Sequence, residues 1–261
     1  MDAKKLELSP LLARRELWLL VSVASVDPYY RQRLGLLEDP AFRQRTTQAA
    51  ALLAVENSTI VLGHGEVAPK EVSPATLFAA LDTERATIEA TYRQIFGLTA
   101  VAQQCPFCEI EYEPNADIAY RSQRMADIAA FYNAFGLQVS TQAGERLDHI
   151  VVEAEFLYVL LAKEAAALEV GNKEAAEVCR EARRKFFQEH VGWWLPAFSR
   201  LLSRVAPPGY YRELAGLTAA LSAVERISLK LPPFQARVIP KPSGVEAEVG
   251  RLGCVSGQQD S

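Results

Sequence analysis

One stretch of the chain, residues 145–168, constrains the fold more than any other. It reads ERLDHIVVEAEFLYVLLAKEAAAL. Its apolar side chains recur every three or four residues, which is the spacing of one face of an α-helix. Asp148 stands where a capping side chain would accept bonds from the first free backbone N–H groups. The pattern therefore predicts a long amphipathic helix with Asp148 as its N-cap.

The same stretch carries an unusual number of polar residues among apolar ones. These are Asp148, His149, Glu153 and Glu155. Residues two apart on a helix point in different directions, so we expect one glutamate to be solvated and the other to be partly buried near Asp148 and His149. The pattern alone is equally compatible with a polar network at the edge of the core and with a binding site.

The rest of the chain is also predicted to be helical. Alternating strand patterns are almost absent and no internal repeat is present, so the fold class is predicted to be all-α, as a single globular domain over residues 1–230. Residues 231–261 are rich in proline and glycine and lack periodicity, which predicts a flexible tail. Besides the central helix, we expect a helix that opens at Ser73-Pro74 and helices at residues 9–25, 41–55, 83–96, 118–135, 174–189, 190–202 and 210–228.

Composition excludes several classes of protein. With 261 residues, 49% hydrophobic and 23% charged, the chain is typical of a soluble globular protein. A net charge of −4 argues against nucleic acid as the main partner. No apolar run approaches the roughly 20 residues that span a bilayer. Arg14-Arg15 followed by ELWLLVSVASV resembles a signal sequence, but Glu16 interrupts it and the leucines fit a helix face, so we expect a helix and a cytoplasmic protein without membrane insertion.

The cysteines and histidines offer little catalytic chemistry. Cys105 and Cys108 form a CxxC pair, which could supply half of a zinc site or a redox couple. No second ligand pair follows and no βαβ pattern surrounds it, so we expect ordinary thiols. A metal-dependent helical enzyme using both cysteines and a histidine is the alternative. No catalytic motif is recognisable, and the sequence predicts no catalytic residues, no metal ligands and no cofactor.

Three segments together resemble the TorD/DmsD/NarJ family of redox-enzyme maturation chaperones. They are CPFCEIEY at 105–112 followed by FYNAFGL at 131–137, ERLDHIVVEAEFL at 145–157, and FFQEHVGWWLPAF at 186–198. The resemblance covers roughly residues 91–202. The chain departs from the family pattern at Leu147, where proline commonly precedes Asp-His, and at Ala154 and Leu157, where the family commonly has leucine and methionine.

The resemblance implies an all-helical, non-catalytic chaperone of the branch that serves DMSO-reductase-like molybdoenzymes. Its expected partner is the twin-arginine leader of a molybdoenzyme catalytic subunit, held back from export until the molybdenum cofactor is inserted. An accessory subunit retained in the mature oxidoreductase is a further alternative, and a homodimer is compatible with the family. The residues expected to bind the leader peptide are Glu109, Glu111, Tyr112, Asp148, His149, Glu153, Glu155, Phe156, His190 and Trp194.

Overall fold

The computed structural model describes residues 3–29, 31–97, 105–113, 117–138 and 145–235, and within them every regular element is a helix. The predicted all-α fold class is therefore confirmed. None of these helices combines the length and the apolar character that crossing a membrane requires. The helices are α1 Ala3–Ala24, α2 Arg31–Glu38, α3 Pro40–Glu56, α4 Pro74–Glu84, α5 Ile88–Phe96, α6 Ile118–Ala134, α7 Ile150–Glu169, α8 Lys173–Phe186, α9 Leu195–Val205 and α10 Tyr210–Ser228.

Helix α7 lies at the centre of the packing. Its most extensive neighbours are α1 and α8, while α10 packs against α9, α4 and α1. Of the side chains that periodicity assigned to the core face of α7, Ile150, Ala154, Leu157, Leu161 and Ala165 are buried, whereas Tyr158 and Leu168 are half-buried. Burying such side chains contributes roughly 1.5–3 kcal/mol each. The long apolar face of α7 therefore organises the fold as its sequence predicts.

Helix α7 begins one residue later than an Asp148 cap would place it. His149 is the N-cap, and its Nδ1 accepts a hydrogen bond from the Val151 amide at 3.2 Å. The prediction that Asp148 caps the helix is wrong. The carboxylate of Asp148 is instead occupied by the Ile110 amide and by Arg146. The amide of Ile110, from a distant segment, has therefore taken the place of the helix amide that a capping Asp148 would bind.

Two other helix boundaries differ from prediction. Helix α1 begins at Ala3 and contains Pro10, since a proline withholds only its own N–H from the helix and residues before it can still be helical. The expected helix over 83–96 is split between α4 and α5. At the break the backbone tightens, and the Thr87 amide donates to the Glu84 carbonyl at 2.7 Å, three residues back instead of four.

The segment between α8 and α9 is less regular than the sequence suggests. Helix α8 ends at Phe186 and is followed by a π-helical turn, Phe187–Val191. Helix α9 begins only at Leu195, with a proline in its first turn, where the missing N–H has no helical partner to lose. The chain at 187–194 therefore joins two helices through a widened turn.

The last described residues lie against the helical domain. Leu231 is buried, and the ring of Phe234 lies 6.1 Å from that of Phe187. The expected flexible tail falls mainly on residues 236–261, which lie outside the described residues. Helix α10, just before this segment, has the predicted bounds, Tyr210–Ser228.

Candidate functional site

The first turn of α7 is paired with an upstream segment that contains the CxxC motif. Cys108 and His149 form an isolated antiparallel bridge. The Glu109 amide donates to the Asp148 carbonyl at 2.9 Å, and the Ile150 amide donates to the Phe107 carbonyl at 3.0 Å. A short 3₁₀ turn, Glu109–Tyr112, follows directly. Two of the three segments that carry the family resemblance are thus joined through their backbones.

Asp148 holds this junction together. Its side chain is fully buried, and it accepts two hydrogen bonds from Arg146, at 2.9 and 2.8 Å, and one from the Ile110 amide at 3.2 Å. Arg146 also donates to Glu111 at 2.9 Å. The carboxylate of Glu111 is about one third exposed and lies 3.5 Å from Arg121 as well. Asp148 is therefore enclosed within the protein, while Glu111 faces partly outward.

His149 is placed beside Asp148 but acts as a neutral cap. Its ring lies 5.0 Å from the ring of Phe107. Burial, and then the nearby Arg146 guanidinium, lower the pKa of His149 to about 4. The ring is therefore uncharged at neutral pH, which suits a nitrogen that accepts a bond from the Val151 amide.

A second buried carboxylate, Glu109, is at the centre of a larger polar cluster. One of its oxygens accepts hydrogen bonds from the Arg124 guanidinium at 2.9 Å and from the Trp193 indole at 3.0 Å. The Nδ1 atom of His190 lies 3.2 Å from the other oxygen, and its Nε2 lies 3.1 Å from Asp127. Glu109 and His190 are both fully buried. Two predicted site residues are thus brought together, with three partners that the sequence analysis did not name.

A third buried acid, Glu153, lies between these groups and the core. The Trp194 indole donates to one of its oxygens at 3.2 Å, and the other oxygen has no hydrogen-bond partner among the described residues. Burial is the largest cause that raises the pKa of Glu153 well above its usual range, and the charges of Glu109 and Asp148 raise it further. The ring of Tyr112 lies 5.2 Å from Trp194. Burial and the neighbouring charges therefore favour the protonated form of Glu153.

The opposite side of α7 borders an open groove. Glu155 is exposed and lines it, whereas Glu153 is buried, which confirms that the two acids point in different directions. The groove has a volume of about 490 Å³ and is mainly apolar. Phe156 forms part of its wall and packs edge-on against Tyr132 at 4.8 Å. The lining comes from α1, α2, α6 with the residues after it, and α7, as Leu19, Ser22, Val23, Val26, Leu36, Tyr132, Leu137, Gln138, Glu145, Val151, Val152, Glu155, Phe156 and Val159.

Most of these lining residues were missed by sequence reasoning. Val151, Val152, Glu155, Phe156 and Val159 form one stripe on α7, at positions separated by one, three or four residues. That stripe was visible in the sequence as a second apolar face. What the sequence did not reveal is that α1 and α2 supply the facing wall.

The cysteines do not form a reactive centre. Burial raises the pKa of Cys105 to about 12, and it also raises that of Cys108 to about 12, with help from the charge of Asp148. Thiols with such values stay protonated at neutral pH, whereas nucleophilic and metal-bound cysteines are thiolates. Among the described residues, neither cysteine belongs to a group of three or more possible metal ligands.

Fold and site together define an all-α protein with buried polar clusters on one side of a central helix and an open apolar groove on the other. Comparison with known proteins gives the family. Residues 71–200 match the family described as nitrate reductase delta subunit. The chain belongs to the TorD/DmsD/NarJ family of assembly chaperones, which confirms the resemblance.

Three characterised relatives carry names of the same kind. The selenate reductase assembly chaperone protein of Thauera selenatis is 34% identical over 116 residues, which cover 44% of this chain and 58% of the relative. The chlorate reductase assembly chaperone protein of Ideonella dechloratans is 31% identical over 118 residues, 45% of this chain and 58% of the relative. The perchlorate reductase assembly chaperone protein of Dechloromonas aromatica is 35% identical over 71 residues, 27% of this chain and 30% of the relative.

These alignments span less than two thirds of the length of each relative. No solved structure matches the chain significantly.

Proposed function

We propose that this protein is a cytoplasmic maturation chaperone for a DMSO-reductase-like molybdoenzyme. It binds the twin-arginine leader of the catalytic subunit and holds that subunit back from export while the molybdenum cofactor is inserted. The family membership supports an assembly role without catalysis, and the relatives are named for selenate, chlorate and perchlorate reductases.

The observation that carries the proposal is the apolar groove beside α7. A twin-arginine leader offers two guanidinium groups followed by an apolar segment that forms a helix in an apolar environment. Helix-in-groove recognition places the apolar face of such a helix on a hydrophobic surface. A groove of about 490 Å³, with Val152 and Phe156 in its wall, has room for several side chains of that helix.

Charge at the edge of the groove matches the arginines. Glu155 is exposed and, in the part of the chain that the structure describes, its carboxylate makes no ion pair or hydrogen bond. Arginine binds carboxylates through two parallel hydrogen bonds. A leader arginine at Glu155 thus gains a partner without displacing a cation of the protein.

Glu111 offers a second, different contact. It is partly exposed and shared between Arg146 and Arg121. A leader arginine there would take the place of one of these guanidinium groups. We therefore assign leader contact to Glu111, Glu155 and Phe156, while His149, whose Nδ1 caps α7, acts by fixing the start of that helix.

The remaining predicted site residues act by shaping the binding surface. The functional groups of five of them are buried inside the protein, namely those of Glu109, Asp148, Glu153, His190 and Trp194. The sixth, Tyr112, donates its hydroxyl to the Pro106 carbonyl at 2.8 Å. Separating a buried carboxylate from its partner costs about 3–5 kcal/mol, which disfavours direct contact with the leader. These shaping residues are Glu109, Tyr112, Asp148, Glu153, His190 and Trp194.

Calorimetry with the full chain and a synthetic twin-arginine leader tests the proposal. We expect saturable binding that weakens as salt rises, because part of it is electrostatic. Val152→Asp places a charge in the groove wall and is expected to weaken binding about tenfold or more, a loss of about 1.4 kcal/mol. Glu155→Gln should weaken binding about two- to fivefold, as for a surface ion pair.

The control is Glu56→Gln, a change of the same kind at an exposed acid that does not line the groove. A peptide with both arginines changed to glutamine should bind the wild-type chain more weakly. Equal binding of the leader to the Val152→Asp variant and the wild type would place the site elsewhere. Absence of leader binding, or co-purification of the chain with the mature oxidoreductase, would contradict the chaperone role itself.

A further inference from the structure

A group of potential metal ligands lies outside the groove, at the surface next to the Glu109 cluster. Asp127 on α6 and Glu189 and His190 in the π-helical turn each offer one ligand atom, and these atoms all lie within 4.8 Å of one another. His190 is buried, Glu189 is half-buried and Asp127 is exposed. The group therefore has one anchored nitrogen and two carboxylates that solvent can reach.

The π turn accounts for the position of two neighbouring residues in one group. The Gly192 amide donates to the Phe187 carbonyl at 2.7 Å, the five-residue spacing of a π-helix. This spacing widens the turn and reduces the angle between consecutive side chains, and such turns are frequent at functional sites. The side chains of Glu189 and His190 can therefore both bind an ion placed near Asp127.

The orientation of His190 matches that of a metal-binding imidazole. Its Nδ1 lies 3.2 Å from the buried carboxylate of Glu109, which is itself held by Arg124 and Trp193. Metal-bound histidines almost always donate their other ring N–H to a carboxylate or carbonyl, which fixes the tautomer and the ring. With Nδ1 as the donor to Glu109, Nε2 faces Asp127 at 3.1 Å, and a bound ion would take the place of the proton that these two atoms otherwise share.

The local charges also favour a cation. Glu109, Asp127 and Glu189 bring three carboxylates to this region, and Arg124 brings the guanidinium that faces them. Arg124 donates to Glu109 and to the backbone carbonyl of Glu189, so it does not occupy the carboxylates of Asp127 or Glu189. A divalent ion would balance the two remaining negative charges.

We propose that Asp127, Glu189 and His190 bind a divalent transition-metal ion, with Glu109 orienting His190. One imidazole and two carboxylates suit Zn²⁺, with a water as the fourth ligand. Tetrahedral ligands about 2.0–2.2 Å from zinc lie about 3.4 Å apart, so ligand atoms that now lie within 4.8 Å of one another need to close by at most about 1.4 Å. The sequence gives no spacing motif for this metal site, because Asp127 lies 63 residues before His190 and only the fold brings them together.

Calorimetric titration of the metal-free full chain with zinc chloride tests this inference. We expect one zinc ion per chain, confirmed by elemental analysis after gel filtration. Asp127→Asn and Glu189→Gln keep the size of each side chain and are expected to weaken zinc binding at least tenfold, since losing even an outer-shell partner costs about 10–100-fold. Circular dichroism verifies that each variant is folded.

The double variant Cys105→Ser/Cys108→Ser serves as the matched control and should bind zinc like the wild type. Absence of stoichiometric binding, or binding unaffected by Asp127→Asn and Glu189→Gln, would overturn the inference. Zinc binding lost only in the cysteine variant would assign the ion to the CxxC pair and would equally overturn it. Leader binding is measured separately and does not depend on this outcome.

Discussion

The raised pKa of Glu153 gives a sharp prediction about stability and pH. Its folded-state pKa is raised well above 4.5, first by burial and then by the charges of Glu109 and Asp148, while the Trp194 hydrogen bond and Arg124 act in the opposite sense. Above pH 4.5 the unfolded chain releases this proton and the folded chain keeps it. The contribution of Glu153 to stability is therefore fully present below pH 4.5 and is lost as pH rises toward the folded-state pKa.

The magnitude follows from linkage. Between the two pKa values, the free energy of unfolding falls by about 1.4 kcal/mol for each pH unit. From pH 5 to pH 7 this amounts to at most about 3 kcal/mol, reached when the folded-state pKa exceeds 7. Glu153→Gln has nearly the same shape, stays neutral, and can still accept the hydrogen bond from Trp194. The variant should therefore lack this component of the pH dependence.

Urea unfolding of the wild type and Glu153→Gln at pH 5, 6 and 7 measures the effect. We expect the variant to gain stability relative to the wild type as pH rises, by up to about 1.4 kcal/mol per unit. The difference between the two proteins removes the contributions of other groups that titrate alike in both. Glu155→Gln, two residues along the same helix and exposed, is the control and should show almost no pH-dependent difference. Parallel pH profiles for Glu153→Gln and the wild type would show that Glu153 is ionised in the folded state.

Three further changes probe other parts of the structure. Gly209→Ala should destabilise the fold by about 2 kcal/mol or more, because φ is +134° there and an added Cβ would lie 1.7 Å from the Glu84 carboxylate; thermal unfolding measures this. Asp148→Ala should cost about 2–3 kcal/mol by leaving the buried Ile110 amide without an acceptor, and Asp148→Asn should cost less; urea unfolding of the pair checks the order. Cys108, with a pKa raised to about 12 mainly by burial, should be alkylated at pH 8 on the order of a thousandfold more slowly than a free thiol. Mass spectrometry follows the rate, and alkylation as fast as that of a free thiol would contradict the raised pKa.

Periodicity predicted much of the fold because it depends on the geometry of single helices. The apolar spacing in residues 145–168 identified α7, and the same geometry separated Glu153 from Glu155, since two residues at about 100° each are turned by about 200°. The bounds of α10 were likewise predicted, because a proline-glycine turn precedes it. Such features need no information about which helices pack together.

The parts that were not predicted depend on contacts between distant segments. Asp148 has the side chain of a good N-cap, but its carboxylate is occupied by the amide of a residue 38 positions upstream. The metal-ligand group joins α6 to the π turn, and Asp127 and His190 are 63 residues apart. The groove requires α1 to face α7. A local rule, such as the preference for aspartate at an N-cap, considers only the neighbouring residues. A contact with a distant segment can give the same side chain a different role.

The buried acids of α7 and the 3₁₀ turn bear directly on how the leader is bound. A leader that binds with micromolar affinity gains about 8 kcal/mol in total. Opening even one buried ion pair, at about 3–5 kcal/mol, would consume much of that gain. The leader arginines should therefore meet the accessible carboxylates, Glu155 and Glu111, while the family-like acid Glu153 acts through Trp194 inside the protein. It follows that Glu153→Gln should leave leader affinity nearly unchanged although it alters stability, and Glu155→Gln should do the reverse. If Glu153→Gln weakened leader binding more than Glu155→Gln, the leader would have to enter the buried cluster, and the groove would not be its main site.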